Sequence, residues 1–353
     1  MTTGQTPADD TLIRVEGLKK HYPIRESISK ILLGRESRRV VHAVDDVSFH
    51  IRRGEILGLA GESGSGKTTI GMVLAMMERP TVGKVLFDGV DPFSLKGAER
   101  KAYRRKAQII FQDPYQTLNP RLHVGDTVME PLEIHHIGSS GRERRERAIQ
   151  ALLTAGLPEN LTGRYPHELS GGQRQRVAIA RAMVLEPSFI VADEPVSMLD
   201  VSVRSGVMSV MLRLKRQMGV TFLFISHDLG VTRYMSDRIA IMYLGRVMEL
   251  GTRDQVISDP HHPYTRVLLS AVPVPEPGAG RKRIKVVGEI PNAVDLPPGC
   301  RFGPRCPVAH DACRETEPAL APLQGTSDGH LVACHFPKEA MSHEIGIRDA
   351  ARV

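Results

Sequence analysis

Gly61-Glu62-Ser63-Gly64-Ser65-Gly66-Lys67-Thr68-Thr69 decides how this chain folds. Before it runs Glu55-Ile56-Leu57-Gly58-Leu59-Ala60, an apolar stretch that reads as a buried strand. After it runs Ile70-Gly71-Met72-Val73-Leu74-Ala75-Met76-Met77, which reads as a helix. Strand, glycine-rich turn and helix in that order are what a phosphate-binding P-loop requires. The glycines let the backbone curl until successive N–H groups converge, and the helix N-terminus adds partial positive charge. Lys67 supplies a full charge for β- and γ-phosphates, and the Thr68 hydroxyl can ligate Mg²⁺. A merely flexible glycine turn would not need the lysine and threonine at this spacing. The chain therefore binds a nucleoside triphosphate.

Outward from that loop, composition sets bounds. The chain has 353 residues, room for one large domain or two to three units, and a formal net charge of +7. The basic balance suits acidic partners, either nucleic acid or an anionic membrane surface. No run of about 18 apolar residues is present, so no membrane span is expected. Residues 1–10 are polar and read as a disordered start without a signal-peptide core, so the protein is expected to stay in the cytoplasm. All four cysteines lie beyond residue 299, which in a reducing cytosol favours a metal site over a disulfide framework.

Leu12–Val15 reads as a short strand, and Tyr22 could supply the ring on which adenine stacks. Residues 24–40 read as a basic surface insertion, and Val44, Val47, Phe49 and Ile51 mark a further strand. Pro80 and Gly83 suggest a turn before a strand at Lys84–Gly89. Another strand, Ala107–Phe111, runs straight into Gln112. From Val124 to about residue 186 the apolar spacing turns helical, an insertion in an α/β domain. Its charge run Arg142–Arg147 reads as a solvated helix face with i,i+4 pairs. Ser170-Gly171-Gly172-Gln173 opens a helix expected from Arg174 to Val184, a second anion cradle on the same physics as the first. Phe189–Ala192 is a buried strand tipped by Asp193 and Glu194. In a P-loop protein such a carboxylate holds Mg²⁺, and the next one polarises attacking water. Ser197–Asp200 follows as a loop. Thr221–Ser226 is a buried strand ending at His227, which faces the crevice where α/β proteins bind ligands.

Taken together, Gly61–Thr68, Gln112, Leu169–Gln173, Phe189–Glu194, Ser197–Asp200 and His227 resemble the ATPase subunit of an ABC transporter over about residues 11–258. The resemblance implies a RecA-like α/β P-loop core with a helical subdomain at about 114–187. It implies ATP and Mg²⁺ as ligands, with Mg²⁺ held through Thr68, Gln112 and Asp193. Glu194, His227 and Gln112 become the catalytic set, and Asp200 the D-loop acid. Ser170, Gly171, Gly172 and Gln173 become the signature that acts on a partner subunit's ATP, so the enzyme is a dimer by mechanism.

The tail carries a second resemblance. His261–Leu269, a proline-rich linker at 273–277, Gly288–Pro291 and Pro297–Pro307 are similar to the C-terminal extension of oligopeptide and dipeptide importer ATPases, a group that also serves nickel. The insertion after Tyr22 and the Gln112–Arg121 stretch resemble the second ATPase of the heterodimeric pair. The extension would span 259–340, with a tail at 341–353. The resemblance implies a paralogous ATPase partner, a pair of permease subunits and an extracytoplasmic solute-binding protein. It places the subunit peripherally on the cytoplasmic face of the cell membrane, with no direct nucleic acid.

Cys300, Cys306, Cys313 and Cys334 are separated by five, six and twenty residues, not the tight pairs usual for structural zinc. Family resemblance favours a [4Fe–4S] cluster there, with Zn²⁺ as the alternative. Three rival functions fit less well. A translation-type ABC ATPase carries two cassettes, a repair-type one separates its Walker motifs by coiled coil, and a half-exporter has fused membrane helices. The solute is best read as peptide, with nickel or another small solute as the alternative.

Overall fold

The computed structural model describes residues 10–24, 39–272, 284, 286, 288, 291–323 and 329–337. The N-terminal segment, most of the basic insertion, the proline-rich linker and the tail past 340 lie outside the described residues.

In chain order the elements are β1 (Thr11–Pro23), β2 (Val40–Arg52), β3 (Ile56–Ala60), α1 (Lys67–Leu74), β4 (Val82–Phe87), α2 (Gly97–Lys106) and β5 (Ala107–Ile110). Next come α3 (Pro114–Thr117), α4 (Val124–Ile134), α5 (Gly141–Thr154), α6 (Gly171–Met183), β6 (Phe189–Asp193), α7 (Val201–Met218) and β7 (Thr221–Ser226). The chain continues through α8 (Leu229–Met235), β8 (Arg238–Tyr243), β9 (Arg246–Thr252), α9 (Arg253–Ser258) and α10 (Pro263–Ser270), then α11 (Ala312–Glu315), β10 (Ala321–Pro322) and β11 (Leu331–Val332).

Two sheets result. One is antiparallel, in the order β2-β1-β4. The other runs β10-β11-β9-β8-β3-β7-β6-β5, parallel from β8 to β5 and antiparallel beyond β8. Strands β3, β6 and β7 are buried at every position, which is why they read as continuous apolar runs rather than alternating ones. Because β3, β6 and β7 are parallel neighbours, their C-terminal tips meet at one edge. That edge holds the P-loop, Asp193–Glu194 and His227.

Several boundaries differ from the sequence reading. The P-loop helix begins at Lys67 rather than Ile70, directly after the left-handed Gly66, and α6 begins at Gly171 rather than Arg174, its two glycines already forming the first turn after the Ser170 cap. Gly83 lies inside β4, not in a turn. Its φ is +91, and a Cβ there would lie 2.4 Å from the Gly17 carbonyl oxygen. Strand β1 runs on through Tyr22, its apolar alternation broken by register shifts against β2. Helix α7, with Asp200 at its N-cap, carries no local signature that the sequence reading used.

Helices α4, α5 and α6 pack on one another over Val128, Leu132, Ala148, Leu152 and Val177. In the charge run, Arg142 reaches Glu146 at 2.9 Å and Arg147 reaches Glu143 at 2.9 Å.

The C-terminal residues do not form a separate body. Strand β11 adds to the edge of the main sheet, Leu331 opposite Leu250 and Val332 opposite Glu249. Tyr264, Cys300, Phe302 and Cys313 share a core with Ala60, Ile241 and Tyr243.

Candidate active site

Strand β3 delivers the chain to Gly61, whose φ is +152, and the loop closes at Gly66, whose φ is +102. Only glycine fits either place. A Cβ on Gly61 would lie 2.1 Å from the Met242 carbonyl oxygen, and one on Gly66 would lie 2.1 Å from that of Ala43. The loop is thus wedged between β2 and β8.

Lys67 is 5% exposed. Its Nζ donates to the carbonyl oxygens of Gly61 and Glu62, both at 2.8 Å, and lies 3.4 Å from Ser65 Oγ. Burial holds its pKa below the ordinary lysine value, against the pull of Glu194, Asp193 and Glu62. Thr68 Oγ1 donates to Asp193 Oδ1 at 3.1 Å. Burial raises the Asp193 pKa, the neighbouring Glu194 adds to that, and Thr68 and Lys67 oppose it. A buried carboxylate beside a threonine hydroxyl offers oxygen ligands suited to a divalent cation.

Glu194 is the centre of a second set of contacts. Its Oε2 accepts from Gln112 Nε2 at 3.0 Å, and its Oε1 lies 2.9 Å from His227 Nδ1. Gln112 also donates to Ser197 Oγ at 3.2 Å, and Ser197 Oγ donates to the Glu194 carbonyl at 3.0 Å. Glu194 sits at φ +47, a left-handed conformation that costs a non-glycine residue on the order of 1 kcal/mol. Such strain at a strand tip is held only because Gln112, Ser197 and His227 fix the side chain and the turn. The carboxylate is therefore aimed before any substrate arrives.

One cleft of about 840 Å³ gathers Tyr22, Gly61, Ser63, Gly64, Gly66, Lys67, Thr68, Thr69, Gln112, Glu194 and His227. Ser65 and Asp193 stand just behind it, Ser65 being 2% and Asp193 6% exposed. Val41, Ala43, Leu268 and Ala293 also line the cleft. Sequence reasoning missed these, and small apolar residues carry no signal of such a role. Ser197 entered that reading only as part of the loop Ser197–Asp200, without its contact to Gln112.

Ser170, Gly171, Gly172 and Gln173 are not part of this cleft. Ser170 caps α6: its Oγ accepts from the Gln173 N–H at 3.3 Å, and Gln173 Oε1 accepts from the Ser170 N–H at 2.9 Å. Gly172 is buried where a Cβ would lie 2.2 Å from Val203 Cγ1 on α7. Ser170 and Asp200 are exposed, with Met198 63% and Val201 80% exposed beside them.

The cysteines all carry free thiols. Burial pushes the Cys306 thiol up to about 11, with Cys300 and Cys313 adding to it, and that of Cys334 to about 12, with the other three cysteines adding to it. All four thus lie within electrostatic reach of one another. Among the described residues only His21, His42 and Asp45 bring three donor atoms within 4.8 Å.

Comparison with known proteins agrees with this geometry. The ABC transporter family model matches residues 44–197. The model for the oligopeptide/dipeptide transporter C-terminal region matches 248–313. A putative peptide import ATP-binding protein of Brucella ovis is 48% identical over 92% of this chain and 97% of its own. The dipeptide transport ATP-binding protein DppF of Haemophilus influenzae is 45% identical over 94% of this chain and 98% of its own. Among solved structures, the ATP-binding cassette MJ0796, a dimer bound to ADP and Pi, aligns at TM-score 0.59 and 32% identity over 68% of this chain and 98% of that one. CbiO1 of Clostridium perfringens aligns at TM-score 0.60 and 27% identity over 71% and 92%. A strained carboxylate behind a complete phosphate loop, in a chain with relatives of this length and identity, has one reading: the chain belongs to the ATP-hydrolysing subunits of ABC transporters, in the branch that carries the oligopeptide/dipeptide transporter C-terminal region.

Proposed function

We propose that this subunit energises import of dipeptides or oligopeptides through separate permease subunits. It would be paired with a paralogous ATPase on the cytoplasmic face of the membrane and fed by an extracytoplasmic solute-binding protein. The observation that carries the chemistry is Glu194, fixed between Gln112 and His227 at the mouth of the phosphate loop. Peptide as the solute rests on the relatives' names, putative peptide import and dipeptide transport ATP-binding proteins.

The loop N–H groups and Lys67 take the β- and γ-phosphates, and Tyr22 stacks on the base. Thr68, Asp193 and Gln112 would hold Mg²⁺, which offsets phosphate charge when bound. Glu194 takes up the proton of the attacking water, and His227 contacts the γ-phosphate. Ser170, Gly171, Gly172 and Gln173 act on the partner subunit's ATP. Ser170 is exposed at the start of α6, and the four residues lie outside the chain's own cleft, which supports that role. Asp200, exposed beside Met198 and Val201, belongs to the same face. A groove of about 470 Å³ between β5 and α4, lined by Ile109, Phe111, Leu118, Pro131 and Ile134, is where a permease helix would press. No helix of the described residues is long and apolar enough to cross a membrane.

Cys300, Cys306, Cys313 and Cys334 would hold a [4Fe–4S] cluster. Four buried or half-buried free thiols in mutual electrostatic reach fit a multi-thiolate ligand set. No three of their sulfurs come within 4.8 Å of one another, whereas Zn–S bonds of about 2.3 Å put tetrahedral sulfurs roughly 3.8 Å apart. The sulfurs are thus not gathered around a common point, and the cluster rests on the chemistry of four thiols in one short segment. Iron, sulfide and zinc analysis of anaerobically purified protein tests it, and one zinc without iron would overturn it.

The function is tested by uptake in cells carrying the full transporter. Labelled dipeptide should accumulate with the wild-type subunit and not with Glu194→Gln. Accumulation of nickel but not peptide would overturn the peptide reading.

A further inference from the structure

The C-terminal segment reaches into the phosphate loop at a residue to which the catalytic reading gives no role. Glu62, the second residue of the loop, is held at three points. Its N–H donates to Tyr264 Oη at 2.9 Å. Its carbonyl accepts from Lys67 at 2.8 Å. Its carboxylate takes a two-pronged contact from Arg305, Nη1 to Oε2 at 2.8 Å and Nη2 to Oε1 at 3.3 Å. Arg305 Nη1 also donates to Tyr243 Oη at 3.1 Å.

The base of this contact is rigid. Tyr243, Tyr264 and Phe302 are at most 1% exposed, and their ring centroids lie 4.7 to 5.4 Å apart. Arg305 ends the short turn Gly303–Arg305, between Cys300 and Cys306. At the start of that stretch Arg301, 5% exposed, donates to Asp45 on β2 at 2.5 Å and to Glu317 at 2.8 Å. The same few residues therefore grip both the phosphate loop and β2, one of the two strands that pinch it.

We propose that Arg305 is a positioning residue for nucleotide binding: it cancels the Glu62 carboxylate and fixes the loop, so the C-terminal segment sets the affinity of the cleft for polyphosphate. The physical reason is charge. A nucleoside triphosphate with several negative charges must enter a loop that already carries a carboxylate. Unpaired, that carboxylate repels the phosphates at a distance where partial burial weakens solvent screening. A bidentate guanidinium removes the repulsion and holds the loop in one shape. The inference rests on reading residues 61–69 as the ATP cradle.

The test is calorimetric titration of the full chain with Mg–ATP, ADP and AMP, for wild type, Arg305→Ala, Glu62→Gln and the double variant. Arg305→Ala should weaken ATP binding about tenfold, ADP less and AMP within about twofold, because the penalty scales with ligand charge. In the Arg305→Ala background, Glu62→Gln should bring ATP affinity back to within about twofold of wild type. Arg305→Lys should recover part of the loss, a point charge without the fork. Equal weakening of all three nucleotides, or no rescue by Glu62→Gln, would overturn the proposal, since loss of packing alone has no charge dependence. Wild-type affinity in Arg305→Ala would overturn it too. Failure of the wild-type chain to bind ATP would overturn the cradle reading along with it.

Discussion

The phosphate-loop edge and the C-terminal segment meet at Glu62, yet they are built on different principles. Along the edge, each functional side chain sits within a few residues of a turn or strand tip that forces its place. Lys67 follows Gly66, and Glu194 follows a fully buried strand. In the segment after 259 the ties run across the whole chain: Arg305 to Glu62, Arg301 to Asp45, His330 to Glu249. Chemistry is written locally, and its support is written at long range.

The comparison is broken most sharply at its local end. Glu194→Gln keeps size and hydrogen bonding to Gln112 but removes the carboxylate proposed as the base, so ATP turnover should fall by about a thousandfold while ATP still binds. A steady-state assay beside a nucleotide titration separates the effects. Near-wild-type turnover would show that Glu194 is not the base.

The long-range end breaks through stability instead. Glu249 is fully buried and accepts from the N–H groups of His261 at 2.8 Å and His262 at 3.1 Å, with His330 Nε2 at 2.8 Å. Glu249→Ala leaves these groups buried without a partner and should cost about 3 kcal/mol in urea unfolding. The expected variant still binds ATP if it folds. A loss below about 0.5 kcal/mol would mean the pair does not tie the segment to β9.

A pH dependence sharpens the same contrast. Burial lowers the His262 pKa from 6.5 to about 4. A lowered pKa in a base means the unfolded chain binds more protons between those values. This contribution is therefore complete above about pH 6.5 and is lost as pH falls toward 4, on the order of 3 kcal/mol across the window. Urea midpoints at pH 7.5 and 5 should differ more in wild type than in His262→Gln. Equal differences would exclude His262 as the source.

The smallest effect belongs to the surface. Arg142 and Glu146 pair at 2.9 Å with side chains 89% and 61% exposed. Arg142→Ala should change stability by less than about 0.5 kcal/mol. A larger loss would mean that α5 does more than face solvent.

How much was legible follows from the same contrast. That Gln112, Glu194 and His227 line one cleft was readable because each follows an apolar strand, and parallel strands bring their tips to one edge. The placement of the signature Ser170–Gln173 at a helix start was readable from its capping pattern, though not the helix's first residue. Val41, Ala43, Leu268 and Ala293 were not readable, because they reach the cleft through strand pairing and helix packing and carry no chemistry of their own. The cysteines were legible as ligand types. Nothing in their spacing said that Arg305, beside Cys306, would reach the phosphate loop.

By itself, the sequence determined the phosphate loop, the acids behind it and the family, because these depend on backbone turns and burial patterns that span only a few residues. Only the tertiary structure decided that the C-terminal segment joins the main sheet through β11 and that Arg305 holds Glu62. An ion pair between positions 243 residues apart leaves no local pattern; it exists because the fold brings two surfaces together and partly shields the charges from water.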